Sequence, residues 1–208
     1  VFRFSCELYK TVNKDLLQKA TEDTLEEFDI FKSILRRGLF WYYLEESDIK
    51  PIVREEYKIP CSLIYQRNNH KLLFEVTYYR NRINLEVFHV LTDGTGAMNF
   101  LKTLVSNYLT LAENVEDSGV DYDASSTQKS DDSFSKYYSG KISSKQENNP
   151  VAYKIVGRKY PDDKLKVING MVDVKKVLEE SHKYNATLTA FLSAVLIKSI
   201  IDEMPVRS

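Results

Sequence analysis

At 208 residues the chain can form one large domain or two small ones, and with 43% hydrophobic residues it can bury a sizeable core. A formal net charge of −1 excludes the broadly basic footprint of a nucleic-acid binder. No apolar run approaches the roughly 18 residues needed to span a membrane. Cys6 and Cys61 have neither metal-ligand spacing nor a nucleophile motif. With no signal-peptide pattern at the N-terminus, they read as reduced, part-buried thiols of a cytoplasmic protein.

In chain order, the first dozen residues alternate as a strand, with Phe2, Phe4, Cys6 and Leu8 on one face. Asn13 can cap a helix in which Leu16, Leu17, Ala20, Leu25 and Phe28 recur near helical spacing. Residues 31–44 read as a hairpin, two apolar stretches flanking Arg36, Arg37 and Gly38, with the run Phe40, Trp41, Tyr42 and Tyr43 expected to be strand core. Residues 45–60 are polar, are punctuated by Pro51 and Pro60, and read as loop with a short strand. Strands are expected over 71–79 and 82–88, with a tight reversal at Arg80 and Asn81. On the second strand Ile83, Leu85 and Val87 face one way and Asn84, Glu86 and Phe88 the other. That strand leads into His89, Val90, Leu91, Thr92, Asp93 and Gly94, followed by a helix striped with Ala97, Leu101, Leu104, Val105, Tyr108 and Leu111.

Residues 114–150 are rich in Ser, Asp, Asn and Lys and poor in large aliphatics, which predicts a flexible polar linker, anchored at most by Tyr137 and Tyr138. Beyond Pro150, a strand is expected over 164–171. A helix capped by Asp173 should bury Val174, Val177 and Leu178. A second helix, capped by Thr187 or Thr189, should bury Phe191, Leu192, Val195, Leu196 and Ile200 before Pro205 stops it. The expected domains are thus 1–113, a linker at 114–150, and 151–208.

One group of residues carries chemistry. His89 ends an amphipathic strand and precedes a turn of small residues and a helix, a place where a sheet edge can meet a pocket. Imidazole has an ordinary pKa of about 6.5 and can accept a proton near neutrality. Asp93 can orient the imidazole or pin the loop through an arginine, and Gly94 removes a side chain where the backbone turns or a ligand passes. His70 reads as a loop residue and His182 as a cation near a helix C-terminus. No metal site is expected: His89 and Asp93 are only two ligands, and Asp121, Asp123, Asp131 and Asp132 lack calcium-loop spacing.

The segment from His89 to Gly94 matches the His-x-x-x-Asp-Gly signature. In this it resembles the coenzyme A-dependent acyltransferase superfamily of chloramphenicol acetyltransferase, alcohol acetyltransferases and the condensation domains of peptide synthetases. Residues 31–46 resemble the early hairpin of the alcohol acetyltransferase-like branch, and residues 184–192 the helix opening the family's second half. The resemblance implies an α+β fold, a mixed sheet backed by helices in each of two lobes. It implies that His89 is the catalytic general base, taking a proton from an alcohol or amine that attacks an acyl thioester directly. The donor would be a coenzyme A thioester, with no tightly bound cofactor and no acyl-enzyme. Asp93 would be structural, usually bonded to an arginine, and Gly94 would leave room for the substrate channel.

Two departures shape this expectation. Many peptide-condensing members carry a second histidine where this chain has Phe88, which favours O- or N-acyl transfer, with acetyl as the expected group, over carrier-protein-dependent condensation. The late Asp-Phe-Gly-Trp-Gly-like motif of two-lobed members has no match here. The second lobe therefore reads as cut short near Pro205, Val206 and Arg207, and a fuller second lobe or a neighbouring subunit is needed to complete the active site. The alternatives are a condensation domain served by a carrier protein and a non-catalytic binding module of the same fold.

Overall fold

Alternation along 82–87 decides the centre of the fold. Ile83, Leu85 and Val87 are fully buried on the helix-facing side of a sheet, as their period-2 spacing predicts. The computed structural model describes residues 1–65, 71–113, 152–155, 157, 160–161, 166–168 and 170–204. The expected linker at 114–150 and His70 lie outside them. The chain divides into two compact units, Val1–Lys141 and Ile142–Ser208.

The first unit is mixed α+β. Its strands are β1 (Phe2–Glu7), β2 (Ser33–Arg37), β3 (Tyr42–Glu46), β4 (Arg54–Glu55), β5 (Phe74–Tyr79) and β6 (Arg82–Val87). Its helices are α1 (Lys14–Glu27) and α2 (Gly94–Glu113), with a short 3-10 turn at Asp29–Lys32. A four-stranded sheet runs in the order β1-β6-β5-β4, antiparallel except for the parallel pair β4 and β5. The hairpin of β2 and β3 forms a second sheet, tied to the first by a bridge between Ile34 and Leu72. Arg80 adopts φ 54° in the reversal between β5 and β6, the left-handed conformation such a tight turn needs.

Helix α1 begins at Asn13, whose Oδ1 accepts from the amides of Asp15 at 2.9 Å and Leu16 at 3.2 Å. That bond satisfies amide donors that the first helical turn cannot pair internally. Asn13→Ala should lower the unfolding free energy by about 1 kcal/mol, read from the urea midpoint. Leu17, Ala20 and Leu25 are buried as their spacing predicts, and so are Thr21 and Thr24. Each of these hydroxyls bonds the carbonyl four residues earlier at 2.7 Å, so a polar side chain enters the core without an unpaired group.

Helix α2 packs on β1 and β6 and against α1. Ala97, Leu101, Leu104 and Tyr108 of the expected stripe are buried, while Val105 and Leu111 are only partly so. Phe100, outside the expected stripe, is fully buried. It stacks on Phe31 with ring centroids 4.1 Å apart and meets Phe28 and Phe74 edge-on.

The hairpin corrects one expectation. Phe40 is 85% and Trp41 64% exposed, and Tyr42 and Tyr43 are also exposed, so this aromatic run is not strand core. Burial is confined to Ser33 and Ile34, at the end of β2 that joins the main body. Toward the tip the two-stranded ribbon has no covering layer among the described residues.

In the second unit, α3 (Val174–Lys183) and α4 (Leu188–Asp202) are present, with Asp173 and Thr187 as their N-caps. His182 sits in the last turn of α3. Residues 166–168, 170 and 171 are not in a strand, contrary to the expectation for 164–171. The expected buried faces are also absent: Val174, Leu192, Val195 and Leu196 are exposed, and Phe191 and Ile200 only half-buried. Phe191 stacks on Tyr184 at 5.9 Å. Apolar spacing marks the surface a helix would bury, but burial needs an opposing layer, and α4 has none among the described residues. No single helix among them is long and apolar enough to cross a membrane.

Candidate functional site

Residues 88–94 lie in the first unit, between the end of β6 and the start of α2. The Phe88 amide donates to the Leu73 carbonyl at 2.8 Å, extending the β5–β6 ladder one step past the strand. The Leu91 amide donates to the Phe88 carbonyl at 2.9 Å and closes a tight turn. His89 and Val90 occupy its two central positions, and both are exposed. The ends of the turn are held: Leu91 is buried, and the half-buried Phe88 ring stacks on Tyr65, nearly parallel at 5.8 Å. On one side of the His89 ring lies Phe2 of β1, with centroids 5.0 Å apart and planes tilted by 59°. The imidazole is thus displayed on an anchored turn beside the Phe2 ring.

Asp93 serves α2. Its Oδ1 accepts from the Gly96 amide at 2.9 Å and its carbonyl from the Ala97 amide at 3.1 Å. A carboxylate here pairs an otherwise orphaned amide and complements the positive end of the helix dipole. No hydrogen bond joins Asp93 to His89, and no arginine among the described residues pairs with Asp93; its partner is its own helix. The first helical residue, Gly94, is exposed, and a Cβ built there would only touch Phe4 at 3.9 Å. The tighter position is Gly96, where a Cβ would lie 2.1 Å from the Thr92 hydroxyl, so a larger residue would require the Thr92 side chain to move. Sequence reasoning passed over Gly96, although a second glycine two positions after the first was a visible signal.

Behind the turn, the face of the sheet opposite the helices is polar and covered. Asn84 is fully buried and Glu86 is 2% exposed. Arg3 donates to Glu86 at 2.8 Å and also to Glu56, Arg82 donates to Glu56 at 2.8 Å, and the Cys61 amide donates to Glu86 at 2.7 Å. This network fastens segment 56–61 over β6. Parity put Asn84 and Glu86 on the face away from the core, but it could not show that a second cover lies there. Cys61 is exposed and Cys6 half-buried, both free. Burial, and then the neighbouring Glu7 charge, push the Cys6 thiol up, away from nucleophilic character.

Burial alone would raise the Glu56 carboxyl, but Arg3 and then Arg82 outweigh it and hold Glu56 below the usual carboxylate range. A depressed carboxylate adds stability above its unfolded pKa, near 4.5, and that stability is lost as pH falls through the lower folded value. Glu56→Gln should therefore destabilise by about 1–2 kcal/mol at neutral pH. The gap between wild-type and variant urea midpoints should close as the pH is taken below 4.5.

No family model matches the chain, and no curated protein is significantly similar to it. Among solved structures it is similar to the starter condensation domain of rhizomide synthetase RzmA, with a TM-score of 0.45 and 11% identity. That match covers 59% of this chain and 35% of the other. A doubly substituted form of the same domain gives a TM-score of 0.42, 11% identity, and 58% and 34% coverage. The chain spans about a third of the length of these structures.

Two clefts on the described residues lie away from His89. One is lined by residues from within 49–57 and 71–77, the other by α1, Lys32 of the 3-10 turn and residues 46–51. The turn therefore supplies a candidate proton acceptor on a shaped loop.

Proposed function

We propose that the protein is an acyltransferase in which His89 is the general base. The observation that carries this reading is the layout of the His-x-x-x-Asp-Gly segment. The imidazole stands at the tip of a turn anchored at both ends, the aspartate caps the next helix, and the glycine leaves open space beside them. Such a turn holds the ring in place without blocking it, and a neutral imidazole so placed can take a proton from an approaching hydroxyl or amine. The attacking atom then adds to a thioester carbonyl, the tetrahedral intermediate collapses, and the thiolate leaves and takes up the proton from the imidazolium. No covalent enzyme intermediate is needed in this scheme.

In this reading the donor is a coenzyme A thioester, the acceptor a small alcohol or amine, and the setting cytoplasmic. A second wall, from a fuller second lobe or a neighbouring subunit, encloses the turn and excludes water. Carrier-protein-dependent condensation is the second enzymatic reading; Phe88, whose ring is committed to Tyr65, argues for simple O- or N-transfer instead. The openness of His89 favours a third reading, a non-catalytic module of the same fold.

The test is thiol release by the protein expressed from its natural gene, using acetyl-coenzyme A and a carrier-bound acetyl thioester with a panel of alcohols and amines. Acceptor-dependent release from the coenzyme A thioester supports the proposal. Release from the carrier thioester alone moves it to condensation, and no release from either supports the binding module.

A further inference from the structure

We propose that the cleft at the open edge of β5 is a binding site for a small amphiphilic anion, an aryl or short branched acid with a carboxylate or phosphate head. The site is independent of the His89 reading. Its origin is topological. The Phe88 amide bonds the Leu73 carbonyl, so Leu73 and Glu75 direct their backbone groups to β6, while those of Phe74 and Val76 turn to the other edge. On that edge β4 reaches only Thr77 and Tyr78, and β2 reaches only Leu72. Between the two a cleft of about 140 Å³ remains, bottomed by the backbone edge of Phe74 and Val76, whose side chains are buried in the core, and walled by the exposed Ile49, Ile52 and Tyr57. An apolar cavity of about 150 Å³ accommodates a benzene ring, so the space suits one ring or a short branched chain.

Charge selects the head group. Lys50, Arg54 and Lys71 stand in the lining, all exposed and none with a carboxylate partner among the described residues. The acidic side chain in the lining, Glu75, is already paired with Lys58. Arg54 lies 6.0 Å from the centroid of the Tyr57 ring, which holds its charge at one end of the slot. Three exposed cations without a carboxylate partner among the described residues, set around the apolar walls of Ile49, Ile52 and Tyr57, attract a ligand that is greasy at one end and anionic at the other.

The test titrates the ¹⁵N-labelled chain with benzoate, phenyl phosphate and the neutral isostere benzyl alcohol, following backbone amide shifts. Saturable shifts at residues 52–57 and 72–77 are expected with at least one of the two acids, and the tighter of them identifies the head group. Benzyl alcohol should bind about tenfold more weakly, the effect expected of several exposed charge contacts together. The double variant Arg54→Gln with Lys71→Gln should bring the acid down to the alcohol's level. The double variant Lys10→Gln with Lys102→Gln, outside the cleft, should leave binding as it was. All four side chains are exposed, and an unchanged spectrum away from the cleft verifies folding. The proposal is overturned if neither acid gives saturable shifts there, if the alcohol binds as well as the acids, or if both double variants weaken binding equally.

Discussion

His89→Ala is expected to reduce acceptor-dependent thioester consumption by about 10²- to 10⁴-fold, the range a positioned general base contributes. The substitution isolates chemistry from folding because of where the residue sits. His89 is exposed at the centre of a turn whose ends are held by the Phe88–Tyr65 stack and by buried Leu91. Surface changes of this kind shift stability by roughly 0.5 kcal/mol or less, so the thermal midpoint should stay near that of the wild type. The measurement pairs thiol-release rates with a melting curve. Unchanged turnover removes His89 from the mechanism, and a large fall in the midpoint would assign the ring, through its contact with Phe2, a packing role instead.

Phe100→Ala should destabilise the first unit by about 3–5 kcal/mol, the usual effect of removing a fully buried phenylalanine. The value belongs at the upper end because Phe100 is shared among several layers. It stacks on Phe31 after the 3-10 turn, meets Phe28 at the end of α1, and meets Phe74 of β5. Those rings are themselves buried and cannot collapse easily into the space left behind. Urea unfolding followed by far-ultraviolet circular dichroism gives the number. Because α2 follows directly on residues 88–93, loosening it should also soften the turn that presents His89. A loss below about 1.5 kcal/mol would show that the cluster repacks and that α2 is held mainly by other contacts.

The strands on either side of Arg80 and Asn81 and the helix beginning after Asp93 were legible in the sequence because their signals are local. A period of 2 in residues 82–87 and a period near 3.6 in α2 are properties of neighbouring residues. The Asn13 cap was legible for the same reason. The aromatic run at 40–43 misled because β-propensity favours a strand without saying whether anything packs on it. Thr21 and Thr24 entered the core unannounced, since their hydroxyls are satisfied by the helix's own carbonyls.

The order of residues by itself determined the helix and strand positions in the first unit and the spacing from His89 to Gly94. It determined these through short-range sterics and hydrogen bonding, which depend on a few consecutive side chains. Only the tertiary structure decided that Phe2 lies beside His89, that Asp93 caps α2, and that Glu86 is buried between Arg3 and the Cys61 amide. Glu86 and Arg3 are 83 residues apart in the chain, and nothing local specifies such a meeting. Their pairing exists because sheet formation sets β1 beside β6 and segment 56–61 then closes the polar face away from water.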